Sequence, residues 1–257
     1  MTTCREILNA LWALAPETLK EDWDNPGLLC GHMDSPVTRV LLALDPTREV
    51  AQEAAALGCQ LVVTHHPVTF GLQSVTDADE GGRKILAYLE KGLSLICMHT
   101  NLDCAKGGVN DVLAARLGLT EVRVLDDGKT AGLVRMGVVP SQSLREFAAR
   151  VKTALGCPGV RFVSGGKPVN RVAVGGGSCS AFMEQVLLAG CDTFVTADVK
   201  YHAFCDAGAL GLNLIDAGHF ETENPVCGAL QTCLAERFPE IHWQISQTHK
   251  DVIEFLD

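Results

Sequence analysis

Apolar residues along this chain follow two periods. From Thr38 onward, short solid apolar runs alternate with segments whose apolar positions recur every three or four residues. The solid runs predict strands buried on both faces, and the spaced ones predict amphipathic helices. "TRVLLALD", "QLVVTHH" and "LSLICMHTN" read as strands, and "TREVAQEAAALG", "RKILAYLEKG" and "GGVNDVLAARLG" as the helices between and after them. A polar, glycine-bearing loop covers Gly71 to Gly82. The pattern restarts with strand "AGLVRMGVV" and helix "SLREFAARVKTALG", which Ser143 can cap. Strands "VRFVSG" and "VNRVAVGGG" follow, then helix "SAFMEQVLLAG", strand "DTFVTAD", helix "YHAFCDAGALG" and strand "LNLIDAG". Helix "NPVCGALQTCLAERF" and strand "IHWQIS" close the series. Strands of this kind separated by helices predict layered α/β units with mainly parallel or mixed sheets. "LDDGKTAG", Leu125 to Gly132, is the candidate linker. The expected division is a first unit over residues 1–126, completed by 227–257, and a second over 127–226.

Composition narrows the class. A chain of 257 residues with 47% hydrophobic and 20% charged residues can bury a real core. Its length suits one large or two small domains on a soft prior of about 150 residues each. A net charge of -10 and a pI of about 5.2 argue against general binding to nucleic acid or membrane surfaces. A phosphorylated small molecule in a local pocket stays compatible with that balance. The eleven cysteines form no C-x-x-C pair, and "MTTCREILNALWALAPE" reads as an amphipathic helix rather than a signal peptide. Reduced, buried thiols in a cytoplasmic protein are therefore expected. No run reaches the roughly 18 apolar residues of a membrane span.

Ligands of parallel α/β sheets bind at the carboxyl ends of the strands. Those ends carry Asp45, then His65 with His66, then His99 with Asp103, and in the second half Asp198 and His219. Imidazole nitrogen and carboxylate oxygen are donors that zinc, iron and manganese accept. In "GHFETENP", a turn into helix after Gly218 would put His219 and Glu223 on one face, a good chelate for one ion. Asp45, followed by Pro46, reads as a turn residue, and His32, His242 and His249 as surface or packing residues. "GGGS" at Gly175–Ser178 offers backbone N–H groups to an anion, or simply close strand–helix packing.

The ordered motifs "EDWDNPGLLCG", "THHPVTF", "MHTNLDCAKGGVNDVLA", "VAVGGGS", "DVKYH" and "GHFETENP" resemble those of the NIF-three-like family. Bacterial members of that family are labelled GTP cyclohydrolase I type 2-like or dinuclear metal centre proteins. The resemblance runs from about Glu21 to Pro225, with Pro26 standing where the family more often has valine. It implies two interlinked α/β domains, a toroidal homohexamer and two divalent metal ions per chain, zinc or iron. The implied metal ligands are His65, His66, Asp103, His219 and Glu223. His99 would be a further ligand or a supporting residue, and Lys200 and His202 would lie near the substrate. The implied activity is metal-dependent hydrolysis of a nucleotide or related small molecule; the alternative is a metal-binding regulator or scaffold with little turnover. Because Pro67 favours extended backbone at His66, the rings of His65 and His66 are expected to diverge, each toward its own ion.

Overall fold

The computed structural model describes residues 1–71, 74–126, 128 and 132–256. The predicted linker, Leu125 to Gly132, lies partly outside the described residues. Among the described residues, no helix is long and apolar enough to cross a membrane. The chain divides into two compact units, Met1–Lys106 with Cys227–Lys250, and Gly107–Val226 with Asp251–Asp257.

With strands and helices numbered along the chain, the first unit holds β1 (Gly27–Cys30), β2 (Arg39–Ala43), β3 (Leu61–Thr64), β4 (Ser94–Cys97) and β11 (His242–Ile245). Their order is β1-β4-β3-β2-β11. All neighbours run parallel except β1, which is antiparallel to β4. Leu41, Ala43, Val62 and Leu95 turn to one face, where Val50, Ala51 and Ala54 of α2 (Arg48–Ala56) and Ile85 and Tyr88 of α3 (Glu80–Leu89) cover them. The alternate residues Val40, Leu42, Val63 and Ile96 are buried too. Both faces are therefore covered, which is why these strands read as unbroken apolar runs.

The second unit contains β5 (Thr120–Val124), β6 (Arg135–Gln142), β7 (Arg161–Val163), β8 (Val169–Val174), β9 (Thr193–Thr196) and β10 (Asn213–Asp216). The order is β5-β6-β8-β9-β10-β7. β8, β9 and β10 are parallel, and the flanking pairs are antiparallel. Here the period of two sorts the core cleanly. Val172, Val174, Val195 and Ile215 face α5 (Val109–Arg116) and α6 (Leu144–Leu155). Ala173, Phe194 and Leu214 face α7 (Met183–Leu188) and α8 (Tyr201–Leu210). This is a three-layer α/β unit, as the patterning predicts. Ser143 does cap α6, in a capping box with Glu146.

The division differs from the expected one at two places. Residues 107–126 belong to the second unit, because α5 packs into its core and β5 pairs with β6. Residues from Asp251 onward also join it: a side-chain carbon on Gly159 would stand 2.8 Å from the Phe255 ring. The chain returns to the first unit through β11, parallel to β2.

Candidate metal centre

In the first unit the donors gather at the carboxyl ends of β2, β3 and β4. β3 ends at Thr64, so His65 and His66 lie beyond the strand and the alternation of faces no longer applies to them. Thr64 Oγ1 donates to the His66 carbonyl at 2.8 Å and folds the chain back there. The two rings are neighbours, with centroids 4.9 Å apart, which corrects the expectation that they diverge. The His99 ring, from just past β4, lies 5.2 Å from His65 and 5.6 Å from His66. One donor atom from each of these three histidines falls within 4.8 Å of the others. Asp103, on α4 (Thr100–Cys104), sets Oδ1 3.5 Å from His65 Nε2.

In the second unit the donors sit after β10. Gly218, at φ +84°, turns the chain into α9 (His219–Glu223). His219 Nε2 and Glu223 Oε2 are 3.0 Å apart on that helix. Two donors each about 2.0–2.2 Å from one ion stand roughly 3 Å from each other, so this pair already has chelating spacing.

A shared feature of the histidines tests whether a metal fits. Each candidate ring has Nδ1 against an oxygen acceptor: His65 on the Met98 carbonyl at 2.9 Å, His66 on Asp45 Oδ1 at 2.7 Å, His99 on Asp24 Oδ1 at 2.9 Å and His219 on Asp198 Oδ2 at 2.7 Å. An acceptor at Nδ1 fixes the proton there and leaves the Nε2 lone pair for a cation, the usual support of a metal-bound histidine. Gly177, at φ +59°, completes the fit. A side-chain carbon on it would stand 2.1 Å from Glu223 Oε1 and 3.0 Å from His219 Nε2.

The supporting carboxylates are what the sequence left unassigned. Asp24 is 4% exposed. Its Oδ2 accepts from the Thr100 backbone N–H at 3.0 Å and from Thr100 Oγ1 at 2.5 Å. Burial alone would push this carboxyl up, but the hydrogen bonds from His99 and Thr100 and the His99 charge outweigh it and hold the pKa at about 2. A folded pKa below the unfolded value of about 3.9 means that ionised Asp24 favours folding. Its contribution is fully present above about pH 4 and is lost as pH falls toward 2. Asp24→Asn is therefore expected to remove on the order of 2 kcal/mol near neutral pH, and the wild-type and variant stabilities should converge between about pH 4 and 2. Denaturant melts at several pH values measure this; a gap unchanged down to pH 2 would contradict it.

Asp45 is more than a turn residue, since its two oxygens serve His66 and, at 2.9 Å, His249. Asp198 holds His219 from a left-handed backbone position, φ +53°, that non-glycine residues rarely adopt. The "GGGS" amides are committed to protein acceptors: Gly176 N–H to Asn110 Oδ1 at 2.7 Å and Gly177 N–H to Thr222 Oγ1 at 3.0 Å. Close packing, rather than an anion, accounts for these glycines. Lys200 and His202 line a cavity of about 730 Å³ together with Ser178, Glu184 and Asp198. Asp198 thus connects that cavity to His219 within the second unit.

A family model described as Duf34/NIF3 (NGG1p interacting factor 3) matches residues 2–252. A Clostridium perfringens protein named "GTP cyclohydrolase 1 type 2 homolog" is 33% identical over 98% of both chains. A Streptomyces coelicolor protein of the same name is 38% identical over 90% of this chain and 86% of its own. Among solved structures, a Bacillus cereus protein related to NIF3 superposes with a TM-score of 0.92 at 25% identity, over 100% of both chains. A Staphylococcus aureus hypothetical protein gives 0.91 at 31% identity, over 99% of both.

Proposed function

The chain belongs to the Duf34/NIF3 family, and from that premise we propose that it binds two divalent metal ions and hydrolyses a nucleotide or related small molecule. The observation that supports this reading best is the set of oxygen anchors on Nδ1 of His65, His66, His99 and His219. Metal-ligating histidines almost always carry such an acceptor on the ring nitrogen that does not bind the metal. The assigned ligands are His65, His66, Asp103, His219 and Glu223, with His99 as a fourth nitrogen or a proton carrier. Zinc and iron both suit this mixed nitrogen and oxygen set.

Divalent ions held there supply Lewis acidity, which makes a water acidic enough to react near neutral pH and polarises the group attacked. The chain's own residues do the rest. Met98 O and Asp45 Oδ1 hold the His65 and His66 rings from different anchors. Asp103 and Glu223 would add carboxylate oxygens to the donors that hold the metal. The exposed Trp23 and Phe70 rings lie 5.9 Å and 5.7 Å from His99 and form an apolar rim on that side. Lys200 and His202 are assigned to substrate contact, in the cavity bounded by Asp198. The native assembly in this reading is a homohexamer, which light scattering on the purified protein would test.

The decisive assay loads the protein with zinc or iron and offers GTP, phosphoesters and cyclic amides. Turnover that disappears in both His66→Ala and Glu223→Ala, with the fold intact, supports the hydrolase. Metal-loaded protein that turns over nothing across the panel would instead mark a regulatory or scaffold role.

A further inference from the structure

The support of His66, like that of His99, extends one residue beyond the carboxylate that holds the ring. Asp45 accepts from His66 Nδ1 on Oδ1 at 2.7 Å and meets His249 Nε2 with Oδ2 at 2.9 Å. Asp24 has the same division of labour, one oxygen for His99 and the other for Thr100. A carboxylate bonded through one oxygen can still turn about its terminal torsion, whose energy wells are broad. Anchoring the second oxygen removes that freedom and fixes the ring held by the first. In Asp24 a local hydroxyl and amide do this; in Asp45 the anchor is a second imidazole from the far end of the first unit.

That imidazole is itself placed with care. Glu53 on α2 accepts from Ser246 Oγ at 2.5 Å, the Gln247 N–H at 2.8 Å and Thr248 Oγ1 at 2.7 Å. The His249 N–H in turn donates to Ser246 Oγ at 3.1 Å. The segment after β11 is thus clamped to α2 just where His249 reaches Asp45, and the His249 side chain is only 7% exposed. The Asp45 N–H also lies 3.3 Å from His249 Nε2. Both contacts cannot be full hydrogen bonds, since one needs Nε2 to accept and the other needs it to donate. The contact with Oδ2 is the shorter of the two, and a carboxylate oxygen accepts from an imidazole N–H, so that bond governs.

The geometry points to His249 as a positioning residue for the metal centre: through Asp45 it fixes the orientation and tautomer of His66. This rests on the metal-binding reading proposed above. Replacing a residue that supports a metal ligand typically costs about 10–100-fold in affinity. His249 acts one residue further out, so His249→Ala is expected near the lower end, about tenfold weaker for one ion. His249→Gln keeps an N–H donor at the reach of Nε2 and should restore most of the lost affinity.

The test uses the full-length protein and two readouts. Cobalt(II) affinity by chelator competition, with the visible cobalt spectrum, is measured for wild type, His249→Ala, His249→Gln, Asp45→Asn and Asp45→Asn with His249→Ala. Nitrogen NMR of the metal-free protein reports the His66 tautomer. The inference expects His249→Ala to weaken cobalt binding and loosen the Nδ1–H tautomer of His66, and Gln to restore both. It also expects no further loss when His249→Ala is added to Asp45→Asn. A merely structural role would instead lower affinity equally in both backgrounds. Unchanged affinity, spectrum and tautomer in His249→Ala would overturn the inference. If the wild type binds no cobalt, the metal reading fails separately, and the tautomer measurement alone decides for or against His249.

Discussion

On the proposed dinuclear reading, combining His65→Ala with His219→Ala is expected to strip most of the metal, up to about two ions per chain in the wild type. The pair is chosen because each substitution disables a different unit's donors. His65 is 1% exposed, anchored by Met98 and 3.5 Å from Asp103. His219 makes the i,i+4 pair with Glu223. A single substitution leaves the other unit's ligands in place, so partial retention is expected from each alone. Elemental analysis after gel filtration gives the metal count, and circular dichroism checks the fold. Full metal content in the folded double variant would refute the ligand assignment.

Gly177→Ala carries the second large effect, although it replaces no ligand. The backbone at Gly177 is locked from both sides. Its N–H donates to Thr222 Oγ1 at 3.0 Å, and its carbonyl accepts from Thr196 Oγ1 at 2.9 Å and from the Ala197 N–H at 2.8 Å. The loop therefore cannot retreat from an added methyl group 2.1 Å from Glu223 Oε1; the carboxylate must move instead. A left-handed conformation at a residue bearing a Cβ adds about 1–2 kcal/mol. The expected result is a loss of roughly 2 kcal/mol of unfolding free energy, with metal affinity falling alongside it. Denaturant melts and chelator competition measure the two. Wild-type affinity in Gly177→Ala would mean that Glu223 does not bind metal in the position described.

The layered architecture could be read from the sequence because strands buried on both faces have no polar alternation to blur them. The elements that escaped are those without that signature. β1, "GLLC", is only half-buried beyond its first residue, and all five positions of β5 are exposed, so neither shows a core-facing pattern. Missing β5 also placed the boundary between the units after residue 126 rather than at Lys106. At the site, His65, His66, Asp103, His219 and Glu223 stood out through motif and strand-end position. Asp24, Asp45 and His249 did not, because their role depends on partners far along the chain. Asp24 meets His99 across 75 positions and His249 meets Asp45 across 204. The closeness of the His65 and His66 rings was hidden for another reason: a one-residue difference in where β3 ends decides whether face alternation applies.

The split of the units has a consequence for synthesis. The first unit needs β11 and the Glu53 clamp on residues 246–248, and the second takes up residues from Asp251 onward. Neither can close its final contacts until the ribosome has made nearly everything described here. Domains that usually mature one after another during translation here both wait for late-made chain, the first for β11 and the second for the residues from Asp251 onward.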